Sequence, residues 1–271
     1  MPLGWSVEDL VPAARGGGVL RMGLTRLAPD AWLQPDPDTT VRAHAFDVHP
    51  DSVQRLPWTA DAEAEAAEMI GSDHSDLAAA ARTVWEDLCL VQTPPGGGVP
   101  VLSSAAVAFP TDWHPAAKLG QPLAQVHAPI HGYAEQLSAG VDHFIATLRP
   151  DQIFGRANWF VVPTPDWRYV PQDASATRFA HVTADTAGET LFVRCERQTL
   201  RRLPRTGAVL FTIGVYVSPL APLSDAVVGR IAASIASVGS GEHERRAAPH
   251  YAAALAEYAA ARGSTALGEA A

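Results

Sequence analysis

Glu196-Arg197-Gln198-Thr199-Leu200-Arg201-Arg202-Leu203-Pro204-Arg205-Thr206-Gly207 runs directly into Ala208-Val209-Leu210-Phe211-Thr212-Ile213. The first part joins a strand predicted over 189–199 to another over 207–217, which is β-branched and aromatic throughout. In an extended chain successive side chains face opposite sides, so Glu196 and Arg197 cannot both point inward unless the strand bulges. Arg194, Arg197, Arg201, Arg202 and Arg205 crowd this short stretch of an acidic chain, a density that suits either a local anionic ligand or a solvated basic loop.

Outward from this stretch the pattern is mixed. Upstream, residues 158–162 and the Val-rich 99–109 read as strands, the latter entered through a Pro-Pro-Gly-Gly-Gly turn at 94–98. Between them, 113–123 is a short connection bounded by Pro115 and Pro122, with one helical turn around 116–119. Residues 133–148 place Leu137, Val141, Phe144, Ile145 and Leu148 on one helical face. Residues 61–90 are Ala- and Glu-rich and read as one or two helices broken near 71–73, where Ser72 or Asp73 can cap the second. The start is a Gly-rich spacer at 15–18 and a surface-crossing arm through 32–38, and the end is helical over 224–238 and 245–261. Helices, then strands mixed with helices, then helices again make an α+β order, not a βαβ repeat. The expected organisation is one domain over 1–271: an arm with helices (1–93), a sheet core (94–222) and C-terminal helices (223–271).

Composition narrows the function. With 47% apolar and 18% charged residues the chain is globular, and a formal charge of −9 argues against a nucleic-acid or anionic-membrane partner. Two cysteines, Cys89 and Cys195, are too few for a disulfide framework or a protein-held iron–sulfur cluster. There is no run of about 18 apolar residues and the N-terminus lacks a basic-then-apolar signal, so the expected compartment is the cytoplasm. Neither a G-x-G-x-x-G nor a G-K-[ST] loop is present, nor a G-x-S-x-G elbow.

The chemistry lies with single residues. His127 and His131 flank Pro129, which resists helix continuation, so the pair is a poor two-histidine metal site. One neutral imidazole on a rigid segment nevertheless suffices as an axial ligand to haem iron, and either histidine could supply it. Arginine matches carboxylates bidentately and haem carries two propionates, so the arginine cluster suits that cofactor. Asn158, Trp159 and Tyr216 are polar-tipped groups within apolar runs, with either structural or substrate-facing roles.

Several segments together resemble the haem-dependent oxidative N-demethylases: residues 21–24 and 32–33, 109–113, 118–123, 126–129, 156–159, and 196–213. The resemblance implies a PAS-like antiparallel sheet enclosing haem b, with N-terminal and C-terminal helices packed around it. It implies His127, in the His-x-Pro segment, as the iron ligand. Arg197, Arg201 and Arg202, with Lys118, Asn158 and Trp159, are implied as cofactor-binding residues. Glu196 and Tyr216 are the candidate proton-donating or amine-binding groups for a small amine or amine-like substrate, using dioxygen or peroxide, and His131 is a second pocket base, a rival axial ligand or an idle surface residue. No flavin fingerprint accompanies the two cysteines, so electrons are expected from an external reductase. Two departures stand out, His131 where the family has proline and Cys195 where valine is usual. The competing reading is a non-catalytic haem-based gas sensor or haem carrier with the same pocket.

Overall fold

The computed structural model describes residues 3–14 and 20–269, and the Gly-rich spacer expected over 15–18 lies outside the described residues. In chain order the elements are α1 (Val7–Ala13), β1 (Thr25–Leu27), α2 (Thr40–Val48), β2 (Val53–Arg55), α3 (Ala60–Met69), α4 (Leu77–Ala80), β3 (Asp87–Gln92) and β4 (Val101–Ala106). They continue with α5 (Leu123–Val126), α6 (Tyr133–Gln136), α7 (Ser138–Thr147), β5 (Ile153–Val162), α8 (Ser175–Arg178), α9 (Ala187–Thr190), β6 (Phe192–Arg202), β7 (Val209–Pro219), α10 (Asp225–Ser237), α11 (Ser240–Arg245) and α12 (Ala252–Glu269).

The architecture is α+β. All pairings are antiparallel, and the strands lie in the order β1-β5-β6-β7-β3-β4-β2, an open sheet. Counted from β3, the five central strands read 2-1-5-4-3. Three strands, β1 to β3, precede residue 94.

The long hairpin β6–β7 is the backbone of the sheet, paired from Phe192↔Pro219 to Arg202↔Val209. The arginine-rich segment is therefore not the turn that the sequence suggests: Arg197, Arg201 and Arg202 stand inside β6, and only 203–208 connects the strands. Extended backbone alternates its side chains, which sends Arg197 and Arg201 to one face and Arg202 to the other. Gly207 takes the positive φ of +73° that closes the turn. Buried Glu65 of α3 receives the Arg205 N–H (2.6 Å), the Thr206 N–H (2.8 Å) and the Thr206 hydroxyl (2.6 Å). Each bond is worth about 1 kcal/mol, and together they fasten the turn to the helix beneath.

The first face of the sheet is sealed. Leu88, Leu90, Ala106, Ala157, Trp159, Val193, Cys195 and Leu210 pack there with α1, α3, α4 and α10 in the main core. Trp32, read from the sequence as part of a surface arm, is 6% exposed, and its indole N–H donates to Thr199 Oγ1 at 3.1 Å. The arm crosses the sheet and buries its one large aromatic ring.

The second face is covered by α5, α6 and α7. Ile145 and Leu148 pack on Val91 and Val209, with Leu123, Val141, Phe144, Phe154 and Leu200 around them, and Val126 packs near Cys89 and Leu102. The helix expected over 133–148 breaks at Leu137, where φ is −122°, giving α6 and α7. The expected helix over 61–90 also ends early. Asp76, not Ser72 or Asp73, caps α4 through Ala79 N–H (2.9 Å), and 87–92 is the strand β3, held between β7 and β4. A short apolar run buried on both faces carries no period that separates strand from helix.

Candidate functional site

α5 is a single turn that starts after Pro122 and stops at His127, because Pro129 follows. The His127 ring nitrogen Nδ1 lies 2.8 Å from the Leu123 carbonyl oxygen. A carbonyl only accepts, so Nδ1 carries the proton and Nε2 holds the free lone pair. Burial holds the imidazole below its ordinary pKa against the Leu123 bond, and the charges of Arg156 and Lys118 push the same way. The ring is neutral at pH 7. Gly132, at φ +77°, turns the chain so that Tyr133 stacks on His127, with centroids 4.6 Å apart and planes 14° from parallel.

Beneath these helices β5 alternates buried and half-buried residues, and its even positions Phe154, Arg156, Asn158 and Phe160 face the second side. The register sets Asn158 opposite Glu196 and Arg156 opposite Gln198 on β6. Glu196, 7% exposed, accepts from Gln198 Nε2 at 2.8 Å. Arg156 Nε and the Tyr133 hydroxyl are both buried and without a hydrogen-bond partner. Burial pulls the Arg156 guanidinium below its usual pKa while Glu196 and Tyr133 pull it back, and burial pushes the Tyr133 phenol up to about 12. His127, Tyr133, Arg156, Asn158, Glu196 and Gln198, with Lys118 acting on His127, therefore form one polar cluster between the sheet and α5–α6.

Sequence reasoning passed over Tyr133 and Arg156. Their signals were modest: an aromatic directly after a glycine that follows the histidines, and a lone cation at an even position of an apolar strand.

The other expected residues are placed elsewhere. Arg197 donates to the carbonyls of Trp32 (2.9 Å) and Ala31 and lies 3.8 Å from the Trp5 ring centroid, and Arg201 sits over the Trp32 ring at 4.5 Å. Both are on the first face, as are Trp159 and Tyr216, which share register positions with Cys195. Tyr216 donates to Gln34 Oε1 at 2.7 Å and lines a cavity of about 640 Å³ with Trp5, Glu8 and Trp167, apart from His127. Arg202 is on the second face, but its guanidinium is committed to the carbonyls of Leu148 (2.7 Å), Ile145 and Gly207. His131 is exposed beside α11, where a Cβ added to Gly241 would come within 3.4 Å of its ring. Cys89 and Cys195 are buried, and burial pushes both thiols far up, so neither is a thiolate. Among the described residues no group of three or more His, Cys, Asp or Glu side chains could hold a metal ion. A haem needs no such group, since the porphyrin supplies four ligands itself.

Residues 43–256, well over half of the chain, match the family described as haem-dependent oxidative N-demethylase, alpha subunit-like. The chain belongs to this family. The matched region takes in the whole cluster around His127 and the 196–213 stretch, whereas the early segments 21–24 and 32–33 lie outside it. The family's name points to haem-dependent oxidative chemistry at the level of the family. No curated protein matches the chain. Among the described residues no helix is long and apolar enough to cross a membrane.

Proposed function

We propose that this protein binds haem b through His127 and oxidises a small amine or amine-like substrate beside its nitrogen. The observation that carries the reading is the His127 hydrogen bond: Nδ1–H held by the Leu123 carbonyl leaves a neutral Nε2 as the one ring atom able to bind iron. Ligating histidines characteristically donate their second nitrogen in this way, which fixes tautomer and ring orientation. The unpartnered buried atoms of Arg156 and Tyr133 fit a cofactor that brings acceptors of its own. The PAS-like part of the reading is supported by the 2-1-5-4-3 order of the five central strands.

Haem, when bound, supplies oxygen activation, using dioxygen with electrons from an external reductase, or peroxide. The chain's own residues do the rest. Tyr133 stacked on His127 keeps the imidazole from rotating. Glu196, oriented by Gln198, offers a carboxylate that pairs with a protonated amine and accepts its proton before oxidation. His131, exposed at the α11 side, offers a second imidazole. Asn158, opposite Glu196, offers an amide to the substrate. Tyr216 has no part in this scheme, because the sheet stands between it and His127.

Haem titration of the purified protein, followed by the Soret and ferrous–CO spectra, tests the reading. His127→Ala should lose the histidine-ligated spectrum and regain it with added imidazole, while His131→Ala keeps it. Titration with secondary and tertiary amines should perturb the wild-type spectrum, and Glu196→Gln should weaken that response. An unchanged His127→Ala spectrum beside a collapsed His131→Ala spectrum would hand the ligand role to His131. Haem binding without an amine response or turnover would favour the sensor or carrier.

A further inference from the structure

Arg156 is the anomaly of this sheet. The other arginines of β5 and β6 each have a partner: Arg194 donates to Thr111 Oγ1 and to the carbonyls of Phe109, Pro110 and Asp166, Arg197 and Arg202 donate to carbonyls, and Arg201 lies on the Trp32 ring, although Arg197 Nε and Arg201 Nε are themselves buried without an acceptor. Arg156 alone among them has no hydrogen bond, no ion pair and no aromatic ring. Its Nε is buried without an acceptor, and the hydroxyl of Tyr133, which couples electrostatically to Arg156, is buried without a partner too. Glu196 is near in the register, yet it forms no ion pair with Arg156 and one of its oxygens is held by Gln198. Two buried donors with no acceptor cost free energy unless something outside the chain accepts from them.

We propose that Arg156 and the Tyr133 hydroxyl form a carboxylate-binding subsite beside His127. A guanidinium fork matches the two oxygens of a carboxylate, and a phenol adds a third donor. The neighbouring Glu196 charge disfavours a phosphate dianion and leaves a monoanion as the fitting ligand. The carboxylate has two possible sources, a haem propionate or the acid group of an N-methylated amino acid. The first of these rests on the proposed function, whereas the subsite itself does not.

The test uses the full chain, wild type beside Arg156→Met, Arg156→Lys and Tyr133→Phe, with near-ultraviolet circular dichroism to establish that each variant is folded. In one arm the proteins are titrated with haem and with its dimethyl ester, read by Soret absorbance. In the other they are titrated with N,N-dimethylglycine and with the uncharged-tail amine N,N-dimethylethylamine, read by tryptophan fluorescence, which needs no haem. If the subsite holds a propionate, wild type prefers haem over the diester by about tenfold or more, Arg156→Met loses the preference, and Arg156→Lys keeps part of it. If it holds a substrate carboxylate, haem and diester bind alike, while wild type prefers dimethylglycine and Arg156→Met does not. Tyr133→Phe lowers whichever preference exists by a smaller factor. Absence of haem binding together with a dimethylglycine preference would remove the haem reading and keep the subsite. No carboxylate preference in either arm, or one untouched by Arg156→Met, overturns the proposal.

Discussion

On the face of the sheet that carries Arg197 and Arg201, each guanidinium leaves its Nε unpaired but rests on the protein's own carbonyls or rings; on the opposite face Arg156 has neither, and the Tyr133 hydroxyl is buried without a partner as well. The residues are of the same type and lie a few positions apart on neighbouring strands. What separates these arginines is whether the guanidinium has any partner in the chain, not how densely they crowd. The crowded arginines hold the N-terminal arm and α7 onto the sheet, and the isolated one faces the site.

The contrast can be broken from either side. On the sealed face, Trp32→Ala removes the Thr199 bond, the platform under Arg201 and a buried ring, and should lower unfolding free energy by about 3–5 kcal/mol in chemical denaturation. Arg197→Leu strands the carbonyls of Ala31 and Trp32 and should cost about 2–3 kcal/mol by the same measurement, without changing haem affinity if the site is on the other face.

On the open face the effects on stability are smaller. His127 has a folded pKa below its ordinary value of about 6.5, so the unfolded chain binds more protons in the window between the two. Stability of the haem-free protein should therefore fall as pH drops below about 6.5 and level off below the folded pKa, and His127→Leu should flatten that part of a pH series of denaturation midpoints. Arg156→Leu should be the mildest, with unfolding free energy unchanged or raised by up to about 1 kcal/mol, since it removes a desolvated cation that has no partner. A large destabilisation by Arg156→Leu would erase the distinction between the faces.

Much of this was legible locally. The β-branched run of β7, the Ser224-capped helix α10 and the Pro-stopped turn at His127 follow from residue types and short-range sterics. β3 was not legible, because a strand buried on both faces shows no alternation. Helix α6 parted from α7 for a reason outside the apolar period: the chain turns at Gly132 and again at Leu137 to lay Tyr133 on His127.

By itself the sequence determined the α+β order, the family and the histidine segment that fits an iron ligand, because propensity, punctuation and motif are written in neighbouring residues. It also carried the alternation that divides Glu196 from Arg197. Only the tertiary structure decided which side of each strand would be sealed, since that depends on segments far away in the chain: Trp5 beside α1 and the 31–32 stretch close over Arg197, and α5 and α6 close over Arg156. Whether a buried donor finds an acceptor is a property of that assembly, and no residue shows it alone.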